Sequence, residues 1–266
     1  MPTLDPLETG DHVCWLVDPE DDFTGTARAF AADGALFGDK VLVIGAPETR
    51  WLLGGVAQGT VVDPAVERAA GAGWDAAMML GVVRREADTA CREGFRALRV
   101  LARMDRVWPA GASPQEIARH ELGLDDLVSS GTAVVVCAYH RDSFHTESIQ
   151  QASGVHPQQL GMRTLMPDFR MFSAGTDCWK VSGVVDSEGA ATFRTALGEL
   201  VARSATVRLQ CEDLDLMDAA GMRALAEVAR EDPSRRIVVE SANETFRRCW
   251  SLLGYDAPQI PVELAP

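Results

Sequence analysis

Residues 132–140, TAVVVCAYH, hold an unbroken apolar run from Ala133 to Tyr139. A strand with no polar alternation has no face to give to water, so it must be covered on both sides. A second run of this kind, KVLVIGA at 40–46, carries the same demand. Strands buried on both faces belong to parallel sheets, and parallel neighbours need a crossover between them, usually a helix. Suitable helices are present. TARAFAADGALFG, ending near Gly38, and the segments 64–70, 74–94 and 113–131 all have helical apolar spacing. Ser113 before Pro114 reads as an N-cap followed by a first helical residue. HVCWLV (12–17) and FRALRVLARM (95–104) read as further strands. This alternation predicts an α/β fold with a mostly parallel sheet.

The pattern pauses at 170–177, RMFSAGTD, which reads as a linker, and then restarts. CWKVSGVVD, TVRLQCEDL and RRIVVES read as strands. GAATFRTALGELVARS and NETFRRCWSLLG read as helices, the latter with Asn243 as N-cap and Gly254 just past its end. Two α/β domains are therefore expected, 1–173 and 174–266, the second smaller.

Charge restricts the partners. With 39 acidic and 25 basic residues the formal charge is −14, and the summed field repels phosphate backbones, so no nucleic acid is expected. Arg84, Arg85, Arg96, Arg99 and Arg103 alternate with Glu86, Asp88 and Glu93, as on a solvated helix face. The apolar runs are short and broken by charge, so no membrane span is expected. The first residues show no basic start or apolar core of a secretory signal. Six cysteines stand singly, which suits reduced thiols in the cytoplasm.

The stretch LQCEDLDLMDAAGMRALAEVA, 209–229, reads as a strand, a tight turn and a helix capped by Asp218. Together with VSGVVD, LMDAAGMRAL and RRCWSLLGYD it makes the last ninety or so residues resemble the STAS family (sulphate transporter and anti-sigma factor antagonist). In the family's anti-sigma factor antagonists this turn carries a hydroxyl residue, which the partner kinase phosphorylates. A phosphate there is tolerated by the helix N-terminus and can disrupt a surface that fits the neutral form. Asp218 matches the motif's aspartate and Gly221 its glycine. Ala220 stands at the phosphoacceptor position, and Ala219 also lacks a hydroxyl. The resemblance implies a partner surface at Asp215, Met217, Asp218, Ala219, Ala220, Gly221 and Met222. Read from the residues alone, Asp218 is an N-cap worth about 1 kcal/mol and the alanines are good helix formers.

In the first domain GDHVCWLV, GDKVLVIG, LRVLARMDRVWP, IARHELGLDDL, VVVCAYHRDSF and VHPQQL occur in order. They resemble the MEDS sensory domain, a bacterial signal-input module. That family is similar to RecA/KaiC-type ATPases, which implies a RecA/KaiC-like, mostly parallel sheet. The segment at the phosphate-loop position is VDPEDDFTG, with Asp18, Glu20, Asp21 and Asp22 and no lysine, so the loop is expected to be degenerate. Glu48 falls near the place of the ATPase general base. Loops after parallel strands form the default ligand crevice, which implies a sensory site drawn from His12, Trp15, Asp18, Glu48, Trp51, Tyr139, His140 and His145. Cys137, His140, His145, His12 and Cys14 could in principle ligate a metal, but plain core and capping roles are the expectation, and no catalytic or metal residue is assigned. The cofactor stays unknown. His156-Pro157 is read as a turn, and Trp74 and Trp108 as core.

Together these features imply a non-enzymatic signalling protein. Its first domain would sense a small molecule or a partner, and its second would bind an anti-sigma factor or related kinase-like regulator without phosphorylation at Ala220. A divergent nucleotide hydrolase or phosphotransferase using Glu48, and an oligomeric scaffold formed as a homo-oligomer, are the alternatives.

Overall fold

The computed structural model describes residues 7–56, 59–69, 76–108, 110–161 and 166–265. Trp74 and the expected start of the 74–94 helix lie outside them. In chain order the elements up to residue 160 are β1 (His12–Val17), α1 (Phe23–Phe37), β2 (Lys40–Ile44), a 3-10 turn (Pro47–Leu53), β3 (Thr60–Val62), α2 (Pro64–Ala69), α3 (Ala76–Arg92), β4 (Leu98–Arg103), α4 (Met104–Val107), α5 (Pro114–Val128), β5 (Ala133–His140), α6 (Thr146–Gly154) and β6 (Gln158–Leu160). Then follow β7 (Phe169–Gly175), β8 (Cys178–Val185), α7 (Ala190–Arg203), β9 (Thr206–Gln210), β10 (Leu214–Met217), α8 (Ala219–Glu231), β11 (Arg236–Glu240), α9 (Glu244–Leu252) and β12 (Val262–Leu264). The chain forms two compact units. One comprises 1–112, 127–149 and 158–163, the other 113–126, 150–157 and 164–266.

The first unit holds a six-stranded sheet in the order β3-β2-β4-β5-β1-β6, every pair parallel. β2 is buried throughout and β5 at every residue but His140, as the unbroken apolar runs require. On one face Val13, Trp15 and Val17 of β1 pack with Val134, Val136 and Ala138 of β5 and with Ala27, Phe30 and Ala31 of α1. α1 ends at Gly38, whose positive φ of 79° lets its N–H turn back to the helix carbonyls. The arginines expected on a solvated helix face are only partly so. Arg99 and Arg103 lie on β4, and Arg99 is 1% exposed, with Nε 3.0 Å from the buried Asp39. The Arg/Glu alternation misled because it runs from the end of α3 into a strand whose period is 2.

The second unit has the strand order β10-β8-β9-β11-β12, all parallel, with β7 antiparallel to β8. Residues 170–177, expected as a linker, are β7 and a hairpin turn instead. Phe169 and Met171 are fully buried, and the Gly-Thr-Asp that suggested a linker reverses the chain, with Gly175 at φ 127° and Asp177 at φ 53°. The stretch at 206–217, expected as one strand, is two, because the chain bends at Cys211–Asp213 and β10 pairs with β8 while β9 pairs with both β8 and β11. The remaining helix caps are as expected: Asn243 Oδ1 accepts from Phe246 N at 2.9 Å, and Ser113 and Glu116 form a reciprocal capping box.

Two segments far upstream in sequence help build this second core. Ala118 and Leu122 of α5 and Val155 after α6 are fully buried in the cluster that contains Phe169, Phe193, Leu197 and Trp250. Arg119 pairs with Glu199, Gln151 Nε2 donates to Thr192 O, and the Asp125 carboxylate accepts from Ser173 N on β7. A Cβ on Gly154 would lie 2.8 Å from Thr192 Cγ2, so the helix end fits only as glycine. Leu122→Ala, although 52 residues before the expected start of the second domain, should therefore destabilise this unit by about 2–5 kcal/mol in urea denaturation. A change below about 0.5 kcal/mol would show that the segment is not core.

Candidate functional site

In the first sheet β1 and β5 are neighbours whose following connections leave in opposite directions, α1 toward β2 and α6 toward β6. Their carboxyl ends therefore flank a topological switch point, where open α/β sheets place their ligands. The loop 18–22 and the turn 141–145 meet there, and Asp18 Oδ1 lies 3.1 Å from Arg141 Nε. The acidic loop is engaged with itself. Asp22 caps α1 by accepting from Gly25 N at 2.9 Å, and Asp21 accepts from Asp18 N at 3.0 Å.

Beside this ion pair stands an aromatic and ionic cluster. Phe23 stacks on Trp15 at 5.0 Å and packs against the His140 ring, also at 5.0 Å, with the Arg103 guanidinium 5.4 Å above it. Asp105 gathers two guanidinia, Arg103 at 2.8 Å and Arg106 at 3.3 Å, and lies 3.3 Å from His140 Nδ1. Burial pushes the Asp105 carboxyl up, but His140 and Arg103 outweigh it and hold the group below the usual carboxylate range. A depressed folded pKa contributes stability above the unfolded value, about 3.9, and loses it as pH falls through the folded one. Asp105→Asn should thus flatten the acid limb of a stability-against-pH curve below about pH 4. An unchanged limb would show that the cluster contributes nothing.

The structure does not bring the eight sensory candidates into one pocket. Trp15, Asp18 and His140 gather at the switch point. His12 lies on the opposite face of the sheet from Trp15, with Nε2 3.7 Å from Cys137 Sγ, and Tyr139 shares that face and packs edge-on against Phe144. Glu48 and Trp51 belong to the 3-10 turn after β2, and His145 is exposed just before α6. Of the five thiol and imidazole candidates, His12 and Cys137 stay together, while His140 turns to Asp105 and His145 to solvent. Phe23, Arg103, Asp105 and Arg141 were missed. Only contacts across strands reveal them, since each alone resembles an ordinary surface residue.

In the second unit the turn after β10 has a defined geometry. Asp218 Oδ1 accepts from Ala220 N at 2.7 Å and Gly221 N at 3.0 Å. A Cβ on Gly221 would lie 2.8 Å from Val185 Cγ1 and 3.0 Å from Val185 O, so α8 can seat against β8 only with glycine here. Met217, Gly221 and Met222 are buried and hold the turn, while Asp215 and Ala219 are exposed and Asp218 and Ala220 half-exposed. Leu216, not singled out by the sequence, adds an apolar side chain 44% exposed to the same surface. Asp218→Ala should cost about 1 kcal/mol of stability through the lost cap, read as a lowered denaturation midpoint. Stability within about 0.3 kcal/mol of the parent would deny Asp218 that role.

A parallel α/β unit with its loops gathered at a switch point is joined in one chain to a smaller mixed-sheet α/β unit bearing a capped turn. The chain belongs to the MEDS family: residues 11–157 match the family model described as MEthanogen/methylotroph, DcmR Sensory domain. Residues 174–263 match the model described as Mlab, STAS domain. Among solved structures the chain is similar to the anti-sigma factor antagonist SpoIIAA in its unphosphorylated form, with 16% identity, 37% of this chain and 89% of that chain covered, and a TM-score of 0.28. No curated protein matches. Among the described residues no helix is long and apolar enough to cross a membrane.

Proposed function

We propose that the chain is a non-enzymatic cytoplasmic regulator. Its sensory domain receives a small molecule or a protein signal, and its STAS domain binds an anti-sigma factor or related kinase-like regulator through the exposed surface at Asp215, Leu216, Asp218, Ala219 and Ala220. The observation that carries this reading is the turn itself, which keeps the capping aspartate and the close-packed glycine but offers no hydroxyl at either position between them. Control then comes from the sensory domain and not from a phosphate on the turn. Absence of catalysis is supported by the loop after β1, where the chain's own Asp22 occupies a helix N-terminal amide and no lysine stands ready for a phosphate.

Capture assays with the full chain and the anti-sigma kinases of the source genome test this. The parent chain should hold its kinase with or without ATP and gain no phosphate at the turn by mass spectrometry. Ala220→Ser should become phosphorylated and released. Failure of both chains to bind any such kinase would overturn the proposal, and so would a calorimetric titration showing tight binding of ATP with magnesium.

A further inference from the structure

We propose that a groove between α1 and the 3-10 turn after β2 is a binding site for a small monocarboxylate with an alkyl or aryl body, and that Arg28 is its anion-recognising residue. The inference rests on the reading of the N-terminal domain as a small-molecule receiver and supplies the ligand class and the place.

The groove, open to solvent, has a volume of ≈ 540 Å³, within the range of small-molecule sites. Its walls are Ala32 and Ala35 on α1 and Leu52, Leu53 and Val56 on the facing turn. Short side chains keep it open. Two alanines stand about one helical turn apart, and Gly54 and Gly55, at φ 57° and 141°, reverse the chain without side chains to fill the space.

Arg28 is the one charged residue in this lining. In a chain with 39 carboxylate side chains and 25 cationic ones, a lining that holds a guanidinium and no acid is selective for charge. The guanidinium is also positioned. It lies 5.0 Å over the Trp51 ring, and its Nε is 3.4 Å from Trp51 O. No carboxylate among the described residues pairs with it, whereas Arg96, Arg99, Arg103 and Arg141 each have one. A planar guanidinium at the wall of an apolar groove matches a carboxylate, accepts a neutral alcohol less well and repels an ammonium.

Isothermal titration of the full chain with hexanoate, hexanol and hexylammonium tests the assignment. Hexanoate should bind about tenfold more tightly than hexanol, a difference near 1.4 kcal/mol, and hexylammonium should not bind. Arg28→Gln should bring hexanoate down to the level of hexanol while hexanol is unchanged. Ala32→Trp, at an exposed helix position, should abolish both without changing the circular dichroism melt. No hexanoate binding to the parent chain, equal binding of hexylammonium, full hexanoate affinity in Arg28→Gln, or retained binding in Ala32→Trp would each overturn the site. Because no partner is present, the result is separate from the signalling proposal. Hexanoate that binds the groove but leaves kinase capture unaltered would leave the site standing and remove its assigned role as the signal.

Discussion

Burial of β5 on both faces is the constraint on which the first unit depends. A strand that offers water neither face needs parallel neighbours and helical crossovers, and the crossovers place every βα loop at one end of the sheet. With β1 and β5 adjacent and their connections leaving in opposite directions, that end acquires a switch point. The crevice is thus a consequence of hydrophobic patterning in a segment that touches no ligand. What fills it is electrostatic, and in this chain much of the charge is matched internally.

That matching is consistent across the molecule. Asp22 serves the amide of its own helix, Asp18 holds Arg141, and Asp39 takes both Arg96 and Arg99. Asp218 does for α8 what Asp22 does for α1. A helix N-terminus already holding a carboxylate has less positive potential left for an incoming phosphate. The acidic composition therefore does not describe a diffuse negative surface alone. Part of it is committed to particular amides and guanidinia, and Arg28 stands out against that background.

The sequence made the large features legible for a physical reason. The apolar runs at 40–46 and 133–139, and the 3.6-residue spacing of helices with ordinary caps, are local signals that survive without tertiary information. The strand β7 was hidden because its end carries turn residues, and the short strands β3, β6 and β12 are too brief to establish a period. At the switch point, Trp15, Asp18 and His140 were visible because they lie in or at the end of strong strands. Their partners Phe23, Asp105 and Arg141 were not, since their relation depends on register between strands 35 to 123 residues apart. On the turn of the second unit, local rules sufficed for Asp218 and Gly221. They did not show that Met217 and Met222 face inward and Leu216 outward.

The bond from Ser173 N to the Asp125 carboxylate has a further consequence for assembly. β7 borders its sheet, and a bordering strand normally exposes a row of amides and carbonyls on which a second chain can align. Here one of those amides is already occupied by a buried acid from another element, so a strand arriving from a neighbouring copy would meet a blocked position and a negative charge. Growth of the sheet along that margin is disfavoured at its middle, and any self-association of this chain has to use side-chain surfaces in place of backbone pairing there.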